Sequence, residues 1–250
     1  VGWGRDEESW SVDYQVIPGD PSDLEVWDQL DDYLSQKFDH PKVPGGMKIL
    51  ATCIDTGGAN TQDAYRFVRP REGRRIWGIK GKEGSRPVWP KKPSRNNKGR
   101  INLFIVGVDT AKEVVTARLT KTGPGKSGPG ACHFPLDRDK EYFEQMTAES
   151  KVTKFVKGFK YIEWQKPDHA RNEAFDCRVY AYAAWQGLVL GGYHLNRAAK
   201  RLDPANSDEA PVVVAPVPAP ASQAAPMTPV NRSGIKAKKK RAVVASPFVR

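Results

Sequence analysis

The sequence predicts an α/β domain, a mixed β-sheet flanked by helices, with a disordered tail behind it. Three observations carry that expectation. Short apolar runs at residues 47–54 and 101–108 read as buried strands, while the stretches 24–34 and 170–186 read as helices that cover them. Strand-like and helix-like segments interleave along the chain, with no internal repeat, as expected of helices layered on a sheet. From about residue 204 the composition changes to Pro, Ala and Val, followed by the basic run from Lys236 to Arg241. Such a stretch buries too little apolar surface to offset its chain entropy, so the folded domain is placed at 1–203 and a disordered tail at 204–250.

The elements follow in order. Residues 10–17 alternate Trp10, Val12, Tyr14 and Val16 with polar neighbours, the period of a half-buried strand, and Val1-Gly2-Trp3 is expected to pair with it as an antiparallel hairpin. Leu24, Trp27, Leu30 and Leu34 recur at helical spacing behind Asp20 and Ser22, either of which can cap the helix. Residues 40–46 read as a loop, 61–68 as a helix and 76–79 as a short strand, before a long Pro/Gly/Lys/Arg loop at 81–100. After the strand 101–108, Thr110 and Glu113 have capping-box spacing for a helix reaching Leu119. A glycine-rich loop at 123–130, short helices within 139–156, a strand at 159–164 and the helix 170–186 complete the folded part.

Charge and cysteine content narrow the function classes. The chain carries a net charge of +11, unevenly spread: residues 1–65 are net −9, residues 66–100 net +11, and residues 210–250 net +7. That polarity favours a polyanion partner and says nothing of fold. No apolar run reaches the roughly 18–20 residues of a membrane span. Cys53, Cys132 and Cys177 are odd in number and scattered, which excludes a disulfide framework or a cysteine-based zinc site and fits a reducing compartment. The chain opens on Val1 without a Met, a basic leader or a cleavage site, so no secretory signal is expected and the N-terminus reads as cut from something longer.

The candidate chemistry lies in acids placed where elements end. Asp55 follows an apolar strand and precedes Thr56-Gly57-Gly58, at the sheet edge where ligand sites of such folds gather; it can equally brace the turn or cap the next helix. Glu173 and Asp176 are three apart at the start of the last helix. With Asp55 they can hold one or two Mg²⁺ or Mn²⁺ ions, or they can simply offset the helix dipole. Asp109 reads as structural, and His133 as a strand residue rather than a general base. In the basic stretch, Arg74, Arg75, Lys80, Lys82, Arg86, Lys91, Lys92 and Arg95 are the candidates for phosphate contact, interleaved with Trp77 and Trp89. The basic run in the tail is either a second nucleic-acid arm or a solubility feature.

Several segments, in order, resemble the lambda-type large subunit of tailed-phage terminases. They are Gly2-Trp3-Gly4 with Glu8-Ser9-Trp10, Asp55-Thr56-Gly57-Gly58, Ile79-Lys80-Gly81 and the run from Gly107 to Glu113. His133-Phe134-Pro135, the run from Gln145 to Glu149, the run from Arg171 to Cys177 and Val179-Tyr180-Ala181 complete the set. The resemblance implies an RNase H-like nuclease domain that binds two Mg²⁺ or Mn²⁺ ions and cuts double-stranded concatemeric viral DNA during genome packaging, in the cytoplasm of the bacterial host. Asp55 then takes the central-strand role, and Asp176 and Glu173 the helix role. The family's first strand, with its Asp, and the ATPase domain that uses ATP are expected to precede Val1, leaving this chain truncated at that strand and weak or inactive alone. A terminase small subunit and a portal are the implied protein partners. Two other readings remain open on sequence: another RNase H-like nuclease or recombinase core, and a catalytically degenerate DNA-binding packaging module.

Overall fold

The computed structural model describes residues 1–96 and 101–202. The tail placed at 204–250, with its basic run, lies outside the described residues. Among those described, eleven strands and six helices form a mixed α/β fold. The strands are β1 (Gly2–Trp3), β2 (Ser9–Trp10), β3 (Lys37–His40), β4 (Val43–Lys48), β5 (Thr52–Asp55), β6 (Ile76–Lys82), β7 (Ser94–Asn96), β8 (Ile101–Gly107), β9 (Cys132–His133), β10 (Ser150–Val156) and β11 (Phe159–Gln165). The helices are α1 (Leu24–Ser35), α2 (Thr61–Val68), α3 (Val108–Leu119), α4 (Lys140–Met146), α5 (Glu173–Leu190) and α6 (Leu195–Arg201).

The central sheet has the order β5-β6-β8-β7, its first three strands parallel and β7 antiparallel at the edge. Alternation along the strands divides its side chains between two layers. Ile76, Ile101, Leu103 and Ile54 face α2 and the apolar side of α1, where Trp27, Leu30 and Leu34 pack on Tyr65, Phe67 and Val68. Ile79, Val106, Trp77, Phe104 and Cys53 face α5, meeting Ala183 and Tyr180. Beyond that layer α3, α4 and α5 share a core of Val115, Tyr142, Met146, Phe175, Val179 and Trp185.

Helix α5 approaches the sheet closely. A Cβ on Gly187 would lie 2.8 Å from the Trp77 ring and 2.9 Å from the Trp89 ring. Trp89, expected only as part of a basic loop, is buried and stacked on Phe104. The buried Arg178 of the same helix reaches Ser9 Oγ at 2.6 Å and Cys132 Sγ at 3.2 Å, which ties α5 to the small sheet β1-β2-β9. All three cysteines are free, and no described helix is long and apolar enough to cross a membrane.

Several expectations are met. Val1-Gly2-Trp3 does supply a strand antiparallel to Ser9–Trp10, the helices at 24–34 and 61–68 are present, the helix expected over 170–186 runs instead over 173–190, and His133 is a strand residue. Others are corrected. The strand expected over 10–17 stops at Trp10: Ser11 is still held by the His133 carbonyl and Tyr142, but among the described residues no strand pairs with 12–17, Val12 and Val16 are exposed, and Tyr14 packs on Tyr142. The loop at 40–46 and the strand at 47–54 are divided differently. β3 and β4 form a bulged hairpin through Lys48, and the next strand begins only at Thr52, half-buried rather than buried. Gly46 permits this, since a Cβ there would lie 2.8 Å from the Phe38 carbonyl oxygen. Residues 94–96, taken as loop, add an edge strand to β8. Residues 150–156, taken as helical, pair with 159–165 across a turn in which Lys157 and Gly158 both have positive φ.

Capping is also used differently. α3 starts at Val108, so Thr110 lies inside it and its hydroxyl donates to the Arg86 carbonyl at 2.8 Å, while Glu113 pairs with Lys151. Asp20 Oδ1 accepts from the Ser22 amide ahead of α1, which begins after Asp23 without a side-chain cap. Helix α6 has no counterpart in the sequence reading.

Gly187→Ala is expected to destabilise the chain by about 1–3 kcal/mol through overlap with the two Trp rings, outweighing a helix-propensity gain of about 1 kcal/mol. Gly73→Ala, which meets open space, is expected to stay within about 0.5 kcal/mol of the parent. Urea unfolding of the two variants checks both.

Candidate functional site

Asp55 ends β5 at the carboxyl edge of the parallel strands, on the face that α5 covers. The turn after it is fixed. The buried Thr56 sends both its amide and its hydroxyl to the Ile79 carbonyl, at 2.9 and 2.8 Å. The Gly57 amide donates to Asp55 Oδ1 at 2.8 Å, a local loop closure that small residues allow. On the other side, the Tyr180 hydroxyl of α5 donates to Asp55 Oδ2 at 2.9 Å. Each oxygen of an otherwise exposed carboxylate therefore has one donor. Gly81 of the neighbouring strand makes room for this contact: its Cβ would sit 3.4 Å from Tyr180 Oη and 2.8 Å from Val108. Burial, followed by the Asp55 charge, pushes the Tyr180 phenol well above its ordinary value, so it stays a donor.

Asp176 is one helical turn before Tyr180 on the same side of α5. Asn172 donates one amide hydrogen to Asp176 Oδ2 at 3.0 Å and another to Glu149 Oε1 at 2.7 Å. Glu149, only 5% exposed, closes a 2.6 Å ion pair with Lys112 of α3. Burial pushes the Asp176 carboxyl up to about 6, opposed by Lys112 and reinforced by Glu149, Asp55 and Glu173. The site is thus a chain of polar groups, Asp55–Tyr180 on one side and Asp176–Asn172–Glu149–Lys112 on the other, held between one strand end and two helices.

Of the predicted acids, Asp55 is near enough to Asp176 for its charge to add to the rise of the Asp176 carboxyl. Glu173 adds to it more weakly: it is 54% exposed, and its Oε2 lies 3.3 Å from Arg171 Nε. Glu149 and Lys112 were not singled out by position, although both stand in segments that carry the family resemblance. Their signal is mutual, and a buried opposite pair 37 residues apart cannot be read from either stretch alone. Among the described residues no three His, Cys, Asp or Glu side chains are gathered as a metal-binding group. The acids present are nonetheless oxygen donors of the type that hard divalent cations take, and a cation beside Asp55 and Asp176 would offset the burial, and the neighbouring acids, that raise Asp176.

The basic candidates separate into two sets. Arg74 is turned toward α1, where it bonds Asp31 at 2.6 Å and Ser35 at 2.9 Å, beside Arg71 on the same Asp31. Arg75 holds a left-handed turn before β6. Lys80 and Lys82 lie on β6, whose last residues extend past Asp55 toward the carboxyl edge. Arg86 belongs to a loop pinned at that edge: Asp109 accepts the Gly84 amide at 2.8 Å, Thr110 binds the Arg86 carbonyl, and Gly107 donates to the Val88 carbonyl at 3.1 Å. Asp109 is thereby structural, as expected. Lys91 and Lys92 are exposed. Arg95 lies on β7, its side chain outside the described residues. His133, on the small sheet, is 2.6 Å from Glu8 and stacks on Trp10; its hydrogen bond, joined by that from the Gly128 amide, holds the Glu8 carboxyl below its usual range against burial.

Since Asp176 titrates higher in the fold than the ordinary 3.8 of the unfolded chain, its ionisation opposes folding as pH rises from that value to about 6, and the cost is constant above. Asp176→Asn is therefore expected to raise Tm at pH 7.5 by about 2–4 °C, a gain that disappears by about pH 4. Thermal unfolding across pH checks this. Lys112→Met, which leaves Glu149 charged and buried, is expected to cost about 3 kcal/mol, and the double change Lys112→Met with Glu149→Leu less. Urea unfolding of the single and double variants gives the comparison.

Residues 1–197 match the family described as terminase large subunit gpA, endonuclease domain. The chain is 36% identical over 187 residues to the terminase large subunit of Escherichia phage lambda, covering 73% of this chain and 29% of that protein. It is 34% identical over 189 residues to the terminase large subunit of Enterobacteria phage P21, with the same two coverages. It thus spans less than a third of the length of either relative. No solved structure matches it. The sequence belongs to the endonuclease-domain family of the gpA-type terminase large subunit.

Proposed function

We propose that residues 1–203 form an RNase H-like, metal-dependent endonuclease domain that cuts concatemeric viral DNA during genome packaging. The observation that carries this reading is the meeting of Asp55, at the end of a central parallel strand, with Asp176 and Tyr180 on the last long helix. The edge of the sheet that bears Asp55 also bears Lys82 and the pinned loop with Arg86. A carboxylate pair flanked by cations is what phosphodiester cleavage requires: acids at the scissile phosphate, basic groups along the flanking backbone.

In this reading Asp55 and Asp176, with Glu173 at the rim, hold Mg²⁺ or Mn²⁺. When bound, such ions polarise the phosphate and make water a stronger nucleophile near neutral pH. The chain's own residues do the positioning. Tyr180 and the Gly57 amide fix the Asp55 carboxylate, and Asn172 orients Asp176 while the Glu149–Lys112 pair holds Asn172 in turn. Lys82, Arg86, Lys91 and Lys92 neutralise phosphates on either side of the cut. ATP-driven translocation belongs to another part of the large subunit, and the small subunit and portal are its partners in the host cytoplasm.

Nicking of supercoiled plasmid in Mn²⁺, by a terminase large subunit carrying this domain, tests the assignment. Asp55→Asn and Asp176→Asn are each expected to lower the rate by at least about 100-fold. Tyr180→Phe, which removes only the hydroxyl that orients Asp55, is expected to lower it by about 10-fold or more. Unchanged nicking by either Asn variant overturns the site.

A further inference from the structure

The β10–β11 hairpin has features that the fold does not use. Its strands pair over seven positions, from Ser150 with Gln165 to Val156 with Phe159, and among the described residues join no larger sheet. At the known rise per residue it reaches about 20 Å. Two ties hold its root, the Lys151–Glu113 ion pair to α3 and the contact of Trp164 with Phe175 of α5 at 6.2 Å between ring centroids. Its far end is different. Phe155 and Phe159 flank the turn and are 73% and 78% exposed. A single exposed apolar side chain is ordinary. Two phenylalanines at the tip of a ribbon that is marginal by itself contribute little to stability.

Charge indicates what they meet. The ribbon from Ser150 to Gln165 carries four lysines, at 151, 154, 157 and 160, against one acid, Glu163, which pairs with Lys154. A ribbon with cations along its length and aromatics at its tip complements a polyanion with an apolar interior. It fits neither an apolar protein groove nor a basic surface. Duplex DNA has that character, and its major groove, about 12 Å wide, admits a two-stranded ribbon. Location supports the same partner. The hairpin begins one residue after Glu149, which shares Asn172 with Asp176, so a duplex at the acids lies within reach of the ribbon.

We propose that the β10–β11 hairpin is a DNA-gripping ribbon: Lys157 at its tip contacts a phosphate and its two phenylalanines contact base edges in the groove beside the cut. The proposal rests on the nuclease reading for the identity of the ligand, and it adds an element that holds the duplex without taking part in the chemistry. Lys157, in the left-handed turn position, is the cation carried farthest from the root.

The test is binding of a 30-bp fluorescent duplex to the 250-residue chain, by anisotropy in EDTA across a salt series. Phe155→Ala with Phe159→Ala is expected to weaken binding by about tenfold, and Phe155→Tyr with Phe159→Tyr to restore it. Lys157→Asn keeps a residue that tolerates the turn and is expected to make the slope of log K against log salt shallower by about 0.9. Circular dichroism identical to that of the parent accompanies each expected result. Parent-like affinity and slope in all the variants, or no duplex binding by the parent at low salt, overturns the proposal; a protein partner for the hairpin would give the first of these outcomes. The nuclease reading fails separately. If Asp55→Asn leaves nicking intact while the hairpin variants still bind DNA weakly, the acids are misassigned and the ribbon stands.

Discussion

Helix α5 against the parallel sheet is the contact on which the rest depends. Gly187 brings the helix down onto Trp77 and Trp89, Tyr180 and Ala183 continue the seam, and Asp176 lies at its near end. Close approach of this kind is specific because protein interiors are dense, and a helix that rides even one methyl higher must shift along its whole length. The seam therefore fixes how far Asp176 stands from Asp55. Gly81 and Gly187 are the small residues that permit it, one under the Tyr180 hydroxyl and one under the Trp pair.

The same seam accounts for the electrostatics. Two carboxylates brought together at the edge of a buried layer repel one another, and burial favours the protonated form of the less exposed one. Asp55 is steadied by two donors and Asp176 by one, and burial raises the Asp176 carboxyl. Lys112 supplies opposing charge through the Glu149 pair rather than by direct contact with Asp176. The fold thus holds a local excess of negative charge in an otherwise basic chain. Stored repulsion of this kind is common where acids serve a function, and stability is lost to keep it.

The order of helices and parallel strands was legible because each was marked by its own residues: the spacing of Leu24, Trp27, Leu30 and Leu34, and the apolar run from Ile101. Misread segments were those whose structure depends on a partner. Residues 12–17 alternate like a strand but pair with no described strand, and residues 150–156 became a strand only by pairing with 159–165. Thr110 and Glu113 have the spacing of a capping box, yet their side chains go to Arg86 and Lys151, contacts between distant segments. The candidate site shows the same division. Asp55 and Asp176 stood out by their positions at element ends, whereas Glu149, Lys112 and Tyr180 acquire meaning only from what they touch. Arg74 illustrates the reverse case, a residue chosen for its charge in a basic stretch and held by Asp31 of an acidic one.

The central claim is that Asp55 and Asp176 act as one cation-binding unit across the α5 seam. Calorimetric titration of the chain with Mn²⁺ tests it most directly, using the parent, Asp55→Asn, Asp176→Asn and the double variant, with Asp109→Asn as a control outside the unit. The account predicts that each single change removes most of the affinity, that the double change adds little more, and that Asp109→Asn binds as the parent does. Independent, additive losses from Asp55 and Asp176, or parent-like binding in the double variant, would contradict it.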